Sequence, residues 1–417
     1  MNYFFDTHCH VMTLEHPNLV SFLNSLESGL PDFLISGALS TGYIMTGRNR
    51  KGNTMFTTVM NTLRAYEQPI GKTFALMEDD LAGKFTNRKP GLPYPEQPFF
   101  RDGKFHFRDR EFDRVALCPL LMDFSITADQ KQKCYYPPSS ETKKIITYAE
   151  DTIVGIESYY QERKERLFDI FPLLGINPIA HDLDTIEKLL ETYVVIDGTV
   201  VREKHTKKRF YGLKFYPPLG FDAWPNDKKE RAKIKVIYEF CTKNNVPCIT
   251  HCDDQGFRIL PSKNAWSLTE PNHYRAALEE YPTLKIDFAH FGWQYSPQAK
   301  VSLSALAAQA EQLPSSPWFY QITELIKLFP NVYSDFSFSG TNPSFYTELK
   351  NYLDGQNEQD RKSLMGKMLF GSDYSINLLK MESYTEYYEL FQRSPFSTED
   401  ILLFAHKNPL SFLDLHE

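Results

Sequence analysis

The sequence predicts an α/β protein, a (β/α)8 TIM barrel with a long insertion between its first and second strands. Three observations carry this reading. Eight short, β-rich apolar runs recur along the chain, each followed by a loop rich in Gly, Pro and Asp and then by a helical stretch, the order of parallel strands joined by crossover helices. In the second half, a polar residue closes each run, at Lys214, His251, His290, Asp335 and Asp373; the intervals of 37, 39, 45 and 38 residues fit one βα unit each. With 42% hydrophobic and 14% aromatic residues, the chain can fill a large core. Barrels absorb insertions, so residues 1–417 are read as a single domain despite their number.

The eight runs are residues 3–8, 114–121, 170–176, 211–215, 246–251, 285–290, 332–336 and 367–372. Between them, apolar residues return at helical spacing over 228–243, 266–280, 320–329 and 344–353. A last helix over 398–413 opens with a candidate capping box, Ser397 and Asp400. Residues 24–104 do not fit the repeat. They carry a helical stretch near 54–67 and a polar Gly/Pro-rich segment, and are read as an insertion at the C-terminal rim that serves as a lid. An alternative register makes 32–36 the second strand. Around 196–209, Asp197-Gly198 and an alternating pattern predict a β-hairpin.

A formal net charge of −7 argues against nucleic acid as a partner, since a basic face would be needed. No run of about 18 apolar residues offers a membrane span, and the opening MNYFFDTHCH has no leader-like pattern. The expectation is a cytoplasmic enzyme with a small-molecule substrate; whether it forms a homo-oligomer stays open. The six cysteines, none in a CxxC pair, read as buried free thiols.

In FFDTHCH, strand alternation would place Asp6, His8 and His10 on one side, facing into the barrel, with the two imidazoles about 7 Å apart. Alone, an HxH is a weak signal, read more readily as hydrogen-bonded core histidines. His251, His290 and Asp373 change the weighing, because each ends an otherwise apolar strand at the C-terminal mouth, where structure alone gives a charged or imidazole group little reason to sit. Histidines and a carboxylate together suit a divalent ion, Zn2+ first, with a position open for water.

This set of motifs resembles the amidohydrolase superfamily, and GLKFYPPLGFD, ITHCDD, AHFGW, NVYSDFS and LFGSDYS resemble its amidohydrolase-related branch of metal-dependent hydrolases and decarboxylases. The resemblance implies that His8, His10, His251 and Asp373 ligate the metal, and that Asp373 also takes a proton from bound water. It implies that His290 polarises the substrate or shuttles a proton. Lys214 stays open between an anion-binding group, a structural ion pair and a carbamylated bridge between two ions; one ion is preferred. Asp335 and Tyr374 are candidate substrate contacts from their positions after strands. Hydrolysis of a C–N or C–O bond by activated water is the first functional reading. Nonoxidative decarboxylation of a carboxylated aromatic or enol substrate is the alternative, and a catalytically silent binding barrel a third.

Overall fold

Short runs of aromatic and β-branched residues that are apolar on both faces suit parallel strands covered on both sides. The computed structural model of the chain describes residues 1–16, 65–85, 97–125, 144–254, 256, 260, 262–294 and 317–416. Its barrel strands follow the predicted runs: β1 Tyr3–Cys9, β2 Arg114–Pro119, β3 in two pieces Phe168–Ile170 and Leu174–Gly175, β4 Leu213–Phe215, β5 Cys248–Thr250, β6 Ile286–Phe288, β7 Val332–Asp335 and β8 Met368–Leu369. Pro172, which has no N–H to give the ladder, lies at the break in β3.

Every neighbouring pair runs parallel: β1 with β2, β2 with β3, and β3 onward through β8 in sequence order. A bridge between Leu120 and Leu173 joins the two sheets on one side. On the other, Thr7 N–H donates to the Phe370 carbonyl at 2.9 Å, His10 N–H donates to the Tyr374 carbonyl, and Cys9 bridges Tyr374. These contacts close the ring. Helices follow the strands around the outside: α1 Ile70–Leu81, α2 Ile145–Glu162, α3 Leu183–Tyr193, α4 Lys228–Lys243, α5 Ser262–Thr269, α6 Arg275–Glu280, α7 Pro317–Leu328, α8 Pro343–Asp354, α9 Glu358–Met365, α10 Tyr384–Gln392, α11 Thr398–Leu402 and α12 Asn408–Leu413. Among the described residues no helix is long and apolar enough to cross a membrane.

The core has two parts, as strand alternation demands. Val115, Leu117, Phe215, Phe288 and Val332 point outward into the large cluster shared with the helices. Phe5, Ala116, Cys118, Ile249, Tyr333 and Leu369 form a smaller inner cluster, joined by Phe412 and Leu413 of the C-terminal helix.

β1 departs from simple alternation. Asp6 is opposite Leu117 while Cys9 is opposite Pro119, so three steps on β1 match two on β2. The extra residue is a bulge, and it reverses which side the following residues face. Tyr3 and Phe5 point inward; beyond the bulge His8 and His10 do so, while Phe4, Asp6 and Cys9 face the helical layer. The expectation that Asp6 points into the barrel beside the histidines is therefore corrected.

Two further expectations change. The helix expected over 266–280 is divided into α5, a 3-10 turn at Pro271–Tyr274 and α6, because Pro271 cannot donate to the preceding turn. The 196–209 hairpin does not form: Asp197 and Gly198 do adopt the left-handed geometry of a tight turn, with φ 59° at both. The flanking residues pair elsewhere, Thr199 with His416 and Val194 with Phe210. Of the described parts of the insertion, Tyr66 lies at the rim, where its carbonyl accepts from Leu14 N–H at 3.0 Å just beyond β1. α1 lies against α2, and an antiparallel meander of Phe100–Arg101, Lys104–Phe107 and Arg110–Phe112 covers Phe4, near the beginning of β1. The alternative strand at 32–36, most of the 54–67 helix and the rest of the lid lie outside the described residues. The capping box at Ser397 and Asp400 is present as expected.

Candidate metal centre

The chain brings its imidazoles and carboxylates together by devices local to each strand end. The β1 bulge turns His8 and His10 inward. Gly371 makes room beside them, since a Cβ there would lie 2.6 Å from the His8 Cβ. His290 and Asp373 both take left-handed backbone, φ 63° and 59°, a conformation that non-glycine residues keep where the surroundings enforce it. For Asp373 the enforcement is visible: its N–H donates to the His8 carbonyl at 2.7 Å, and Ser372 N–H donates to the same oxygen at 3.1 Å.

His8, His10 and Asp373 converge first. All three are buried, with ligand atoms within 4.8 Å of one another. The Asp373 Oδ1 is 3.4 Å from His8 Nε2 and 3.2 Å from His10 Nε2. On the far side of each ring, Nδ1 faces an acceptor: Asp335 Oδ2 at 2.7 Å for His8, and the Leu120 carbonyl at 2.9 Å for His10. Each Nδ1 faces an acceptor and donates, and in that tautomer the Nε2 of a neutral ring carries a lone pair, here aimed at a carboxylate. Burial pushes His8 down to about 3, so protonation does not resolve the contact. His8 Nε2 and Asp373 Oδ1 have no hydrogen-bond partner. Electron-rich atoms gathered in this way, buried and unsatisfied, fit a divalent cation.

A second trio adjoins the first. His251 Nε2 is 3.0 Å from Asp253 Oδ1, and His251 Nδ1 is 3.2 Å from His290 Nε2. The structure thus places His251 with Asp253 and His290 rather than in the trio of His8, His10 and Asp373. The two groups touch through His8 and His290, whose ring centroids are 5.0 Å apart. His290 is held by Ser337, its Nδ1 donating to the Ser337 carbonyl at 3.0 Å, and by Ser339, whose hydroxyl donates to the His290 carbonyl at 2.7 Å.

Asp335, expected as a substrate contact, instead braces the site. Its Oδ1 accepts from His290 N–H at 3.0 Å, Ser337 N–H at 2.9 Å and the Ser337 hydroxyl, while its Oδ2 accepts from His8. Burial would raise its carboxyl, but the adjacent His8 and His290 hold it far below the ordinary range. Asp287, which the sequence reading did not single out, lies beside it. Burial and the Asp335 charge push the Asp287 carboxyl well up. Inward parity one position before a site-bearing loop was its only signal in the sequence.

Lys214 is 1% exposed, and its Nζ has no hydrogen-bond partner. Burial lowers its ammonium to about 8, against the attraction of Asp335, Asp373, Asp287 and Asp253. Among the described residues Lys214 forms no ion pair. Tyr374 is not brought to the cluster: its ring lies in the outer core, edge-on to Tyr384 at 5.2 Å. Cys9 and Cys252 are buried in that outer core, and all five described cysteines are free. Asp253, two residues beyond His251, joins it.

Residues 195–415 match a family model described as Amidohydrolase. No curated protein matches the chain. Among solved structures, 5-carboxyvanillate decarboxylase from Sphingomonas paucimobilis is similar, at 12% identity over 100% of both chains, with a TM-score of 0.45. A 5-carboxyvanillate decarboxylase from Novosphingobium aromaticivorans, complexed with manganese, is 10% identical over 99% of this chain and 96% of its own, TM-score 0.46. A probable 2-pyrone-4,6-dicarboxylic acid hydrolase from Acinetobacter baumannii is 12% identical over 73% and 84%, TM-score 0.42.

Proposed function

From the premise that the chain belongs to the amidohydrolase family, we propose that it is a metal-dependent enzyme acting on a small organic acid. The observation that carries this is the meeting of His8 Nε2, His10 Nε2 and Asp373 Oδ1, the first and last buried with no hydrogen-bond partner among the described residues. These three residues would hold one divalent ion, Zn2+ first, and His251 is proposed as a further ligand from its strand-end position. When bound, the ion acts as a Lewis acid toward a substrate oxygen.

Nonoxidative decarboxylation of a carboxylated aromatic or enol substrate is the preferred reaction. In its favour, Lys214 is a buried cation among the site's carboxylates with no partner of its own, a group suited to an anionic substrate oxygen. The buried surroundings exclude water, which weakens solvation of the substrate carboxylate as it leaves as neutral carbon dioxide. The electron pair left on carbon takes a proton that Asp373 would relay from solvent, so that the substrate carboxylate and one proton become carbon dioxide and a C–H bond. His290, fixed by Ser337 and Ser339, orients the ring or chain. Hydrolysis of a C–N or C–O bond is the second reading. It is favoured by Asp373 itself: burial would raise its carboxyl, but His10 foremost, with His290 and His8, holds it below its ordinary range, ready to accept a proton from water.

A screen of carboxylated phenols and enols beside amides, lactones and esters tests this, with carbon dioxide and paired hydrolysis products measured separately. Carbon dioxide release lost in Asp373→Asn supports the first reading, and a product pair lost in the same variant supports the second. Protein that retains no metal and turns over nothing, with or without the substitution, would leave the silent barrel.

A further inference from the structure

Asp6 lies outside the barrel with its carboxylate fully buried, two residues before His8 and on the opposite side of β1. Its Oδ1 accepts two backbone donors, Ser372 N–H at 2.9 Å and His8 N–H at 3.3 Å. Its Oδ2 accepts the Tyr384 hydroxyl at 2.7 Å and the Tyr388 hydroxyl at 3.4 Å. One carboxylate therefore ties the backbone of a β1 ligand to the residue preceding the β8 ligand Asp373, and anchors both to α10. The first and last strands of a ring meet at its seam, where no intervening loop fixes their relative position.

We propose that Asp6 is a positioning residue that sets the separation of His8 and Asp373, and hence metal affinity, from behind the barrel wall. The proposal rests on the reading that His8, His10 and Asp373 hold a metal. The bulge in β1 is what makes it work: by reversing the facing of the strand between Asp6 and His8, it puts the brace on one side of the wall and the ligand on the other. Partners of this kind, one step removed from the ion, typically change metal affinity 10–100-fold.

The test titrates chelator-stripped full-length protein with Co2+, following visible ligand-field absorption and affinity against a competing chelator, with near-ultraviolet circular dichroism to check folding. Asp6→Ala is expected to lose about 10–100-fold in Co2+ affinity and to alter the absorption spectrum. Asp6→Asn keeps one oxygen for the two backbone donors and an amide for the tyrosines, so it is expected to restore affinity and spectrum close to wild type. A folded Asp6→Ala with wild-type affinity and spectrum overturns the proposal while leaving the metal site standing. If Asp6→Ala does not fold, Asp6→Asn decides: a wild-type spectrum supports the brace, and a collapse of affinity in the folded amide variant overturns it. Wild-type protein that takes up no Co2+ overturns the site reading itself, and the proposal with it.

Discussion

Replacing Asp335 by Asn isolates the role of a single proton. Three donors crowd Oδ1, namely His290 N–H, Ser337 N–H and the Ser337 hydroxyl, while His8 Nδ1 alone meets Oδ2 at 2.7 Å. The Asn side chain must present its oxygen to the three and its amide nitrogen to His8. Donor then faces donor, so His8 relieves the contact by moving its proton from Nδ1 to Nε2. The lone pair aimed toward Asp373 is lost. Loss of such a second partner costs about 10–100-fold in metal affinity, or about 1.4–2.8 kcal/mol. The fold is affected less, because the Oδ1 contacts survive. Asp335→Ala, which removes the carboxylate that four donors share, is expected to destabilise by about 3–5 kcal/mol. Titration of stripped protein with Zn2+ against a chromophoric chelator, alongside thermal melts, separates the two variants. Unchanged affinity in Asp335→Asn would refute the tautomer argument.

Other consequences are equally direct. Asp373→Asn is expected to keep the fold while lowering turnover about 10²–10⁴-fold, as loss of a proton-transferring group does, measured as initial rate on any substrate found. Lys214→Met removes a buried ammonium with no partner, so the melting temperature should hold or rise while affinity for an anionic substrate falls by about 1.5–3 kcal/mol; a lower melting temperature with intact binding would contradict it. His181 Nε2 donates to Asp123 Oδ2 at 2.6 Å; burial lowers its imidazolium, but that hydrogen bond and the Asp123 charge raise it above its ordinary value overall. The stabilisation is therefore fully present below the unfolded value near 6.5 and fades as pH rises through the higher folded value. His181→Ala should cost most at pH 5.5 and least at pH 9 in denaturant melts, and a pH-independent difference would count against this. Saturating metal at about 100 times Kd should stabilise the wild type by about 2.7 kcal/mol, and Asp373→Asn much less.

Much of this architecture was legible in the chain. Apolar runs with turn residues after them located the eight strands, and single polar residues closing those runs located the mouth, because a buried strand gives a lone histidine or aspartate no apolar reason to exist. The facing of Asp6 was not legible. Alternation holds only while residues pair one to one, and the bulge between Asp6 and Cys9 is written in the pairing of β1 with β2, two segments far apart in sequence. The hairpin failed for a related reason: Asp197-Gly198 specifies a turn, but whether its flanks pair with each other depends on competing partners, here Phe210 and His416. Asp287 was missed because it lies inside its strand rather than closing it, with His290 marking the mouth just beyond. His251 was legible as a site residue, but its place beside Asp253 and His290 follows from loop geometry that spacing does not encode.

The most direct test of the account is an anomalous-difference map from crystals of the full chain, recorded on both sides of the absorption edge of the metal the protein retains. The account predicts a peak bounded by His8 Nε2, His10 Nε2 and Asp373 Oδ1, which vanishes in Asp373→Asn. A retained metal bound elsewhere, or a refined site in which these three side chains are apart with no ion between them, would contradict it.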